Sequence, residues 1–482
     1  MAAKSKATVG LCRVGILVVA LTIVCTGVAQ AAADWIFQSQ KVTAETLIQW
    51  MNKYRDAKPD FKPGDVLTVK DLPRLVPFIP PGYIEMLNFP ELHIEVWPTR
   101  HHPMRADFME CTEKFQNQVR LKPDGAMENY VCGQPFPVST LDPNDPMSGI
   151  KAAWDFEYRW QNYGLAVKNG FAVWDRFDGN HDGFTLTTED PPAEWNVGVK
   201  WTSETPTDVT YLLKGGGNFQ RTLQWFHQRV YFTHLPQEAI HGYILPVPNA
   251  KAFEFKEITG FYSPFDIRGT AFIIYRYDDP YRPDDAWAYI PTLRRVRRIS
   301  AEVKSDTLLG SDASLDEFYG FSDHELNWKW KFLGFKDILM PMEPRGDYTR
   351  SYGPDGMVPD TGWQLRKAAV TQRFPKDPRH PMSSVVNFWD AEDWIALIHH
   401  DFDQKGKLWR MIQWEGTYTE NAKNFAEINH GVQAMHWDHG YCIDVQNNRG
   451  TLWFGLGTGN PSVAAGHAQA LYDINRLEQI HR

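Results

Sequence analysis

The sequence predicts a large, mostly antiparallel β protein with a few helices, built as one extended domain over residues 34–482. Three observations carry this reading. Aromatic and β-branched residues alternate with polar ones in several segments, as in strands with one face buried. Turn signals of Gly, Pro, Asn and Asp recur between those segments at short intervals. The composition, 43% hydrophobic and 14% aromatic with 19 Trp in 482 residues, supplies the large apolar side chains that disordered chains lack.

Residues 1–33 stand apart as a secretory signal. They hold Lys4, Lys6 and Arg13, no acid, and an apolar run from Val14 to Val24 that is shorter than the ~17 residues a bilayer span needs. Ala29-Gln30-Ala31 offers the small-x-small pattern of a cleavage site, which places the cut near Ala31 to Ala33. The competing readings are a retained anchor and lipidation at Cys25. The run is too short for the first, and Val24 sits where lipoprotein signals carry a small residue. The whole chain has 50 Lys plus Arg against 59 Asp plus Glu, a net −9; removing three cations leaves 47 against 59, or −12. An acidic exported protein in the periplasm follows, not an integral membrane protein. Nucleic acid is excluded as a partner because binding it needs a basic footprint.

Export makes a disulfide plausible among Cys111, Cys132 and Cys442. Cys111 and Cys132 flank the turn Lys122-Pro123-Asp124-Gly125, so two strands meeting across one hairpin would bring them together; Cys442 is left over. Three cysteines without a C-x-x-C make no zinc site.

Along the mature chain, Thr43 caps a helix to Tyr54, with Leu47, Ile48 and Met51 on one face. Strands are expected where Phe156, Tyr158 and Trp160 alternate with Asp155, Glu157 and Arg159, at Phe171 to Phe177, at Phe253 to Phe255 and at Phe272 to Tyr277. Turns are expected at Lys168-Asn169-Gly170, Asp278-Asp279-Pro280 and Asp403 to Lys407. The last sits between Trp394 to His400 and Leu408 to Trp414 and marks the clearest hairpin. Gly455 to Gly459 reads as a loop, and a helix from about Ser462 to Ile480 closes the chain.

Two groups suggest metals. Asp178, Asn180, Asp182 and Glu189 fall at positions one, three, five and twelve of a calcium loop, with Gly183 at six. Flanking strands and Pro191-Pro192 favour a solvated hairpin turn instead, so no cofactor is assigned and calcium stays open as the minor reading. His399, His400 and Asp401, with His436, Asp438 and His439, supply metal-type ligands; on a strand, however, His399 and His400 point to opposite faces. No H-E-x-x-H, G-x-S-x-G or P-loop pattern occurs, and no catalytic residue is assigned.

The one basic run is Arg294-Arg295-Val296-Arg297-Arg298, preceded by Trp287-Ala288-Tyr289-Ile290-Pro291-Thr292-Leu293. It reads either as a solvated strand face or as guanidinium groups rimming an apolar cleft to meet an anionic headgroup or acidic strand. Trp287, Tyr289, Arg295 and Arg297 are the ligand-contact residues of the second reading.

This strand, followed by Leu309-Gly310-Ser311-Asp312-Ala313-Ser314-Leu315-Asp316-Glu317, resembles the outer-membrane lipoprotein-sorting superfamily. Thr112 to Phe115, Gly125, Tyr130, Gly133-Gln134-Pro135-Phe136-Pro137, Asp142 to Pro146 and Lys151 to Trp154 are similar to a longer, uncharacterised periplasmic family within it. The resemblance implies a half-open antiparallel β-barrel of the lipoprotein-carrier type, with helices covering an apolar cavity. It implies a carrier for a lipid-like or lipoprotein-type ligand, working with an envelope transporter, and no catalytic residues. Many of the 19 Trp are then expected to wall a cleft. Two other functions compete: an exported metal enzyme using the His and Asp clusters, and a structural or interaction protein of the envelope.

Overall fold

The computed structural model describes residues 35–479 apart from 103, 160–163, 178–183, 188–196, 203–209, 216–217, 237–241, 300–306, 344–349, 419–434, 460–468 and 470–471. The signal at 1–33 and the calcium-loop residues Asp178, Asn180, Asp182 and Glu189 lie outside the described residues.

Period-two segments with aromatic and branched residues pair into one 15-stranded sheet. In chain order its strands are β1 (Val66–Thr68), β2 (His93–Val96), β3 (Gly164–Arg176), β4 (Asn218–Tyr231), β5 (Phe253–Ser263), β6 (Ala271–Tyr277), β7 (Asp285–Ile290) and β8 (Arg295–Ile299). There follow β9 (Trp328–Pro341), β10 (Gly362–Pro375), β11 (Met382–Asp390), β12 (Ala396–Asp403), β13 (Leu408–Tyr418), β14 (Met435–Asp444) and β15 (Arg449–Gly459). Across the sheet the order is β1-β2-β10-β11-β12-β13-β14-β15-β3-β4-β5-β6-β7-β8, with β9 also paired to β10. Antiparallel pairing dominates, β2 with β10 being parallel. β8 ends the order at one side and β1 at the other, so the sheet stays half-open, as expected for the fold class. Five shorter strands between Phe184 and Asp360 form a separate sheet.

Alternation gives the large sheet two faces. Chain from 35 to 100 covers one, which we term outer: His400 meets the Pro81 carbonyl at 2.9 Å, and Leu408 N–H donates to Val42 O. Its helix Ala44–Lys53 starts as the sequence predicts, with Thr43 accepting from Thr46 N–H and with Leu47, Trp50 and Met51 buried. Trp50 packs edge-on against Phe388 of β11. The outer face of β6–β8 is covered by Ile474–Gln479, a 3-10 helix; Tyr472 lies in a turn and Asp473 in coil, so among the described residues the closing helix expected from Ser462 to Ile480 is shortened to this piece. On the inner face lie the segment 307–327 and the helix Ser148–Glu157, which packs on β9 and β10.

That helix corrects the strand expected around Phe156. Every one of its residues except Lys151 is buried, so its polar and apolar positions do not segregate into a helical face that periodicity could reveal. Gly149 lets it rest on β9, because a Cβ there would come 2.6 Å from the Lys331 backbone. Lys168-Asn169-Gly170 is no turn either; it lies inside β3, where the register shifts between Val167 and Gly170 as a bulge. Gly455 to Gly459 belongs to β15 and pairs with β3. Cys111 and Cys132 do form a disulfide, Cα atoms 5.7 Å apart, but Cys111 lies in the helix Ala106–Phe115, so the bridge joins a helix to a loop and not two hairpin strands. Cys442 is free and buried in β14.

Among the described residues twelve tryptophans are buried, and Trp363, Trp389, Trp394, Trp414 and Trp437 are among the largest fully enclosed side chains. The expectation that many Trp wall a cleft is therefore corrected: most fill the core between the sheet and its covers.

Candidate functional site

The inner face of β3–β5 and β10–β15 meets the segment 307–327, which we call the lid. Apart from an isolated bridge between its own Thr307 and Ser314, the lid forms no strand pairing among the described residues. Instead it runs through three 3-10 turns and is tied down by polar side chains. Ser314 N–H and Oγ both donate to Glu317 Oε2 at 2.8 Å, closing a turn. Asp312 accepts from Thr451 Oγ1 at 2.7 Å and from Arg449. Arg410 donates to the Asp312 carbonyl, to Glu317 at 2.7 Å and to Asp401 at 3.1 Å. Further along, Arg229 reaches Ser322, and Arg276 donates to the Ser322 and Asp323 carbonyls.

Glu317, His399 and Asp401 each place a ligand-type atom within 4.8 Å of the others, all buried. Burial raises the pKa of the Glu317 carboxyl, but Arg410 and a hydrogen bond from Asp401 outweigh it and hold it at about 2. Asp401 is pushed well up by burial and by the Glu317 charge, so the pair keeps one proton, resident on Asp401. His399 is held neutral by burial and by Arg373. Burial draws Arg373 down to about 10, which leaves it charged at neutral pH; it bonds Asn387 and faces Phe321 and Trp328. Two guanidiniums against one carboxylate make this a poor seat for a divalent cation, since the added charge would be buried beside two like charges. His436 lies elsewhere: it pairs with Thr417, whereas His399 pairs with Ile412. Five residues of strand correspond to ~16 Å. His439 stacks against Phe454 and Tyr441, and the Asp438 side chain lies outside the described residues. The cluster expected from His399, Asp401, His436, Asp438 and His439 is thus not assembled; His399 and Asp401 join Glu317 and Arg410 instead.

Beside this network, under Phe318, lies an apolar cavity of about 40 Å³. Leu223, Trp225, Phe261, Phe318, Trp414 and Trp453 line it, with His227 and Glu257 at its polar end. Rings from four strands meet there: Trp414 stacks on Trp453, and Phe318 lies edge-on to Trp225 and Trp437. The indole N–H groups of Trp225, Trp414 and Trp437 have no hydrogen-bond partner among the described residues. Glu257 is met by Arg229 at 2.7 Å, and burial lowers His227 to about 4. Small residues make room for the rings. A Cβ on Gly170 would lie 2.4 Å from the Trp225 ring, and one on Gly440 2.7 Å from Trp414. Gly170→Ala is accordingly expected to lose about 1–3 kcal/mol in urea denaturation, the usual range for overpacking; a variant as stable as wild type would show that the indole is free to move aside.

At the other end of the strands a cleft of about 540 Å³ opens between Arg282, Asp284, Asp323, His324, Lys376 and His380. Its charges are largely matched internally, with Asp284 bonded by Arg276 and His324.

The ligand contacts expected at Trp287, Tyr289, Arg295 and Arg297 lie on the edge strand β8 and its neighbour β7. Register puts Trp287 opposite Arg298 and Tyr289 opposite Val296, on the outer face beside Tyr275. Arg295 and Arg297 pair with Ile290 and Ala288 on the other face and are exposed. The aromatic pair and the arginine pair are therefore not brought together. Glu317, Arg410 and Arg373 are site residues that residue patterns missed. One signal was available: the turn Asp403 to Lys407 fixes a register in which Asp401 faces Arg410.

A family model described as "Protein of unknown function (DUF1329)" matches residues 66–190 and 188–473. No curated protein matches the chain. It is similar to the solved structure of an outer-membrane lipoprotein-sorting protein domain from Vibrio parahaemolyticus, at 15% identity and a TM-score of 0.42, over 69% of this chain and 100% of that one. A DUF1329 family protein from Desulfovibrio piger ATCC 29098 gives the same values. A LolA superfamily protein from Nitrosomonas europaea gives 11% identity and a TM-score of 0.32, over 66% of this chain and 95% of that one.

Proposed function

The chain belongs to the DUF1329 family of proteins of unknown function, and from its lidded aromatic cavity we propose that it is a non-enzymatic periplasmic carrier for a lipid-like hydrophobic ligand. The carrying observation is the cavity under Phe318: aromatic walls from several strands, closed by a segment without strand pairing. Each methylene taken up would contribute about 0.8 kcal/mol, and unpartnered indole N–H groups would orient an oxygen-bearing end. At about 40 Å³ the closed cavity exceeds only slightly the ~30 Å³ share of one water molecule, so loading requires the lid to lift. An envelope transporter is the natural donor or acceptor in such a scheme.

Native mass spectrometry of protein purified from its own periplasm is expected to show bound lipid. A clean apo mass, with no uptake from lipid vesicles, would remove the carrier reading. The second reading, an interaction protein of the envelope, is favoured by the same small volume and by the Trp-filled core; it predicts that clean apo mass. No helix among the described residues is long and apolar enough to cross a membrane.

A further inference from the structure

We propose that two neighbouring hairpin tips, 264–270 and 291–294, form a docking face for an anionic lipid bilayer. The first tip joins β5 to β6 and the second joins β7 to β8. Because Ala271 pairs with both Gly260 and Tyr289, the tips lie side by side at one end of the sheet. Each presents an apolar side chain to solvent. Phe265 is 93% exposed and Leu293 46%, whereas the phenylalanines of the core are almost fully enclosed.

Cations outnumber acids around them. Arg268, Arg294, Arg295 and Arg297 are exposed, and none makes an ion pair with a described residue. The one acid on the tips, Asp266, is engaged by Arg221 at 2.7 Å. On a chain of net charge −9 this is a local reversal. Arginines on an edge strand also discourage self-pairing, which accounts for Arg295 and Arg297. That role gives no reason for an exposed Phe and Leu on adjacent tips. An aromatic and an aliphatic residue flanked by arginines match a surface that inserts shallowly between lipid headgroups while its guanidiniums meet phosphates. The cavity's apolar lining points the same way. Phe261 stands two residues before the strand ends at Ser263, while Glu257 is deeper along it.

The proposal rests on the tips alone and holds whether or not a ligand is carried. Purified protein should co-sediment with vesicles of phosphatidylglycerol and phosphatidylcholine at low salt, and not with phosphatidylcholine vesicles alone. Phe265→Ser with Leu293→Ser should weaken that binding roughly tenfold or more, the scale of withholding one large apolar side chain from an apolar phase. Arg294→Gln with Arg295→Gln should cost on the order of fivefold per arginine and reduce the salt dependence. All four side chains are exposed, so equal melting temperatures are expected. No wild-type binding at low salt, or unchanged binding by both variants, overturns the proposal. So does tighter capture of a soluble acidic polypeptide than of vesicles, which would mark a protein-docking edge. Ligand retained by the Phe265 and Leu293 double variant in native mass spectrometry separates docking from carriage.

Discussion

Arg410→Met is expected to lower the unfolding free energy by about 3–5 kcal/mol, the range for breaking a buried ion pair by removing one partner. Arg410 is 1% exposed and joins three groups: Asp401 on its own sheet, and Glu317 and the Asp312 carbonyl on the lid. Without it, Glu317 is a buried, ionised carboxylate that has lost its direct ion-pair partner and keeps the two Ser314 hydrogen bonds, a protonated Asp401 and the more distant Arg373 charge. The penalty comes from that stranded charge more than from the lost bonds. Adding Glu317→Gln to Arg410→Met should therefore recover part of the stability, since it removes the stranded carboxylate and leaves Arg373 as the buried charge, with Asp401 beside it. Urea denaturation of the single and double variants measures both. A single variant within about 1 kcal/mol of wild type would show that water already reaches the site. Hydrogen exchange adds a local reading: amides of 308–318 should exchange faster in Arg410→Met than amides of β13. If the lid is the door to the cavity, the same variant should also take up lipid faster.

The parts of this arrangement differ in how visible they are in the chain. Hairpins such as β12–β13 are legible because Asp403 to Lys407 is a local turn flanked by period-two runs, so the neighbours in space are neighbours in sequence. The pairing of β15 with β3 is not, since it joins Arg449–Gly459 to Gly164–Arg176 across more than half the chain. Glycines misled in two places for one reason. Gly170 and Gly455 face each other across β15 and β3, inside strands and not in turns, and Gly170 leaves room for the Trp225 ring. The helix Ser148–Glu157 was hidden by burial on all sides.

The site shows the same division. Ser314 and Glu317 lie three apart before an irregular stretch, a capping-box spacing that locates a turn. Nothing local says that this turn will sit over Arg410, 93 residues away. Aromatic content, likewise, reports a need for apolar volume and not its destination. Trp363 and Trp389 in the core and Trp225 and Trp453 at the cavity come from strands of similar pattern. Only the order of strands and the path of the lid distinguish them.

His436→Leu is expected to become progressively more stable than wild type as the solution is acidified. His436 is 1% exposed, neither ring nitrogen has a hydrogen-bond partner among the described residues, and burial, helped by Arg159, lowers its pKa from 6.5 to about 3. The folded state therefore binds the proton later than the unfolded state does. Its contribution to wild-type stability is fully present above the unfolded value of 6.5 and is lost as pH falls through about 3. Leucine has no proton to gain, so the gap between variant and wild type should widen by about 1.4 kcal/mol per pH unit below 6.5. At neutral pH the two should lie within about 1–3 kcal/mol, since leucine removes an unsatisfied polar group of similar size. The difference between proteins is the diagnostic quantity, because the wild-type curve mixes signs. Asp155, Glu254, Glu325 and Asp393 are all pushed up by burial, and such groups stabilise the fold at low pH and lose that contribution as pH rises. Those terms are common to both proteins and cancel in the subtraction. Urea midpoints measured together from neutral pH down to the onset of acid unfolding give the gap directly. Parallel curves would mean that His436 takes up its proton inside the folded protein, and that water reaches this end of β14.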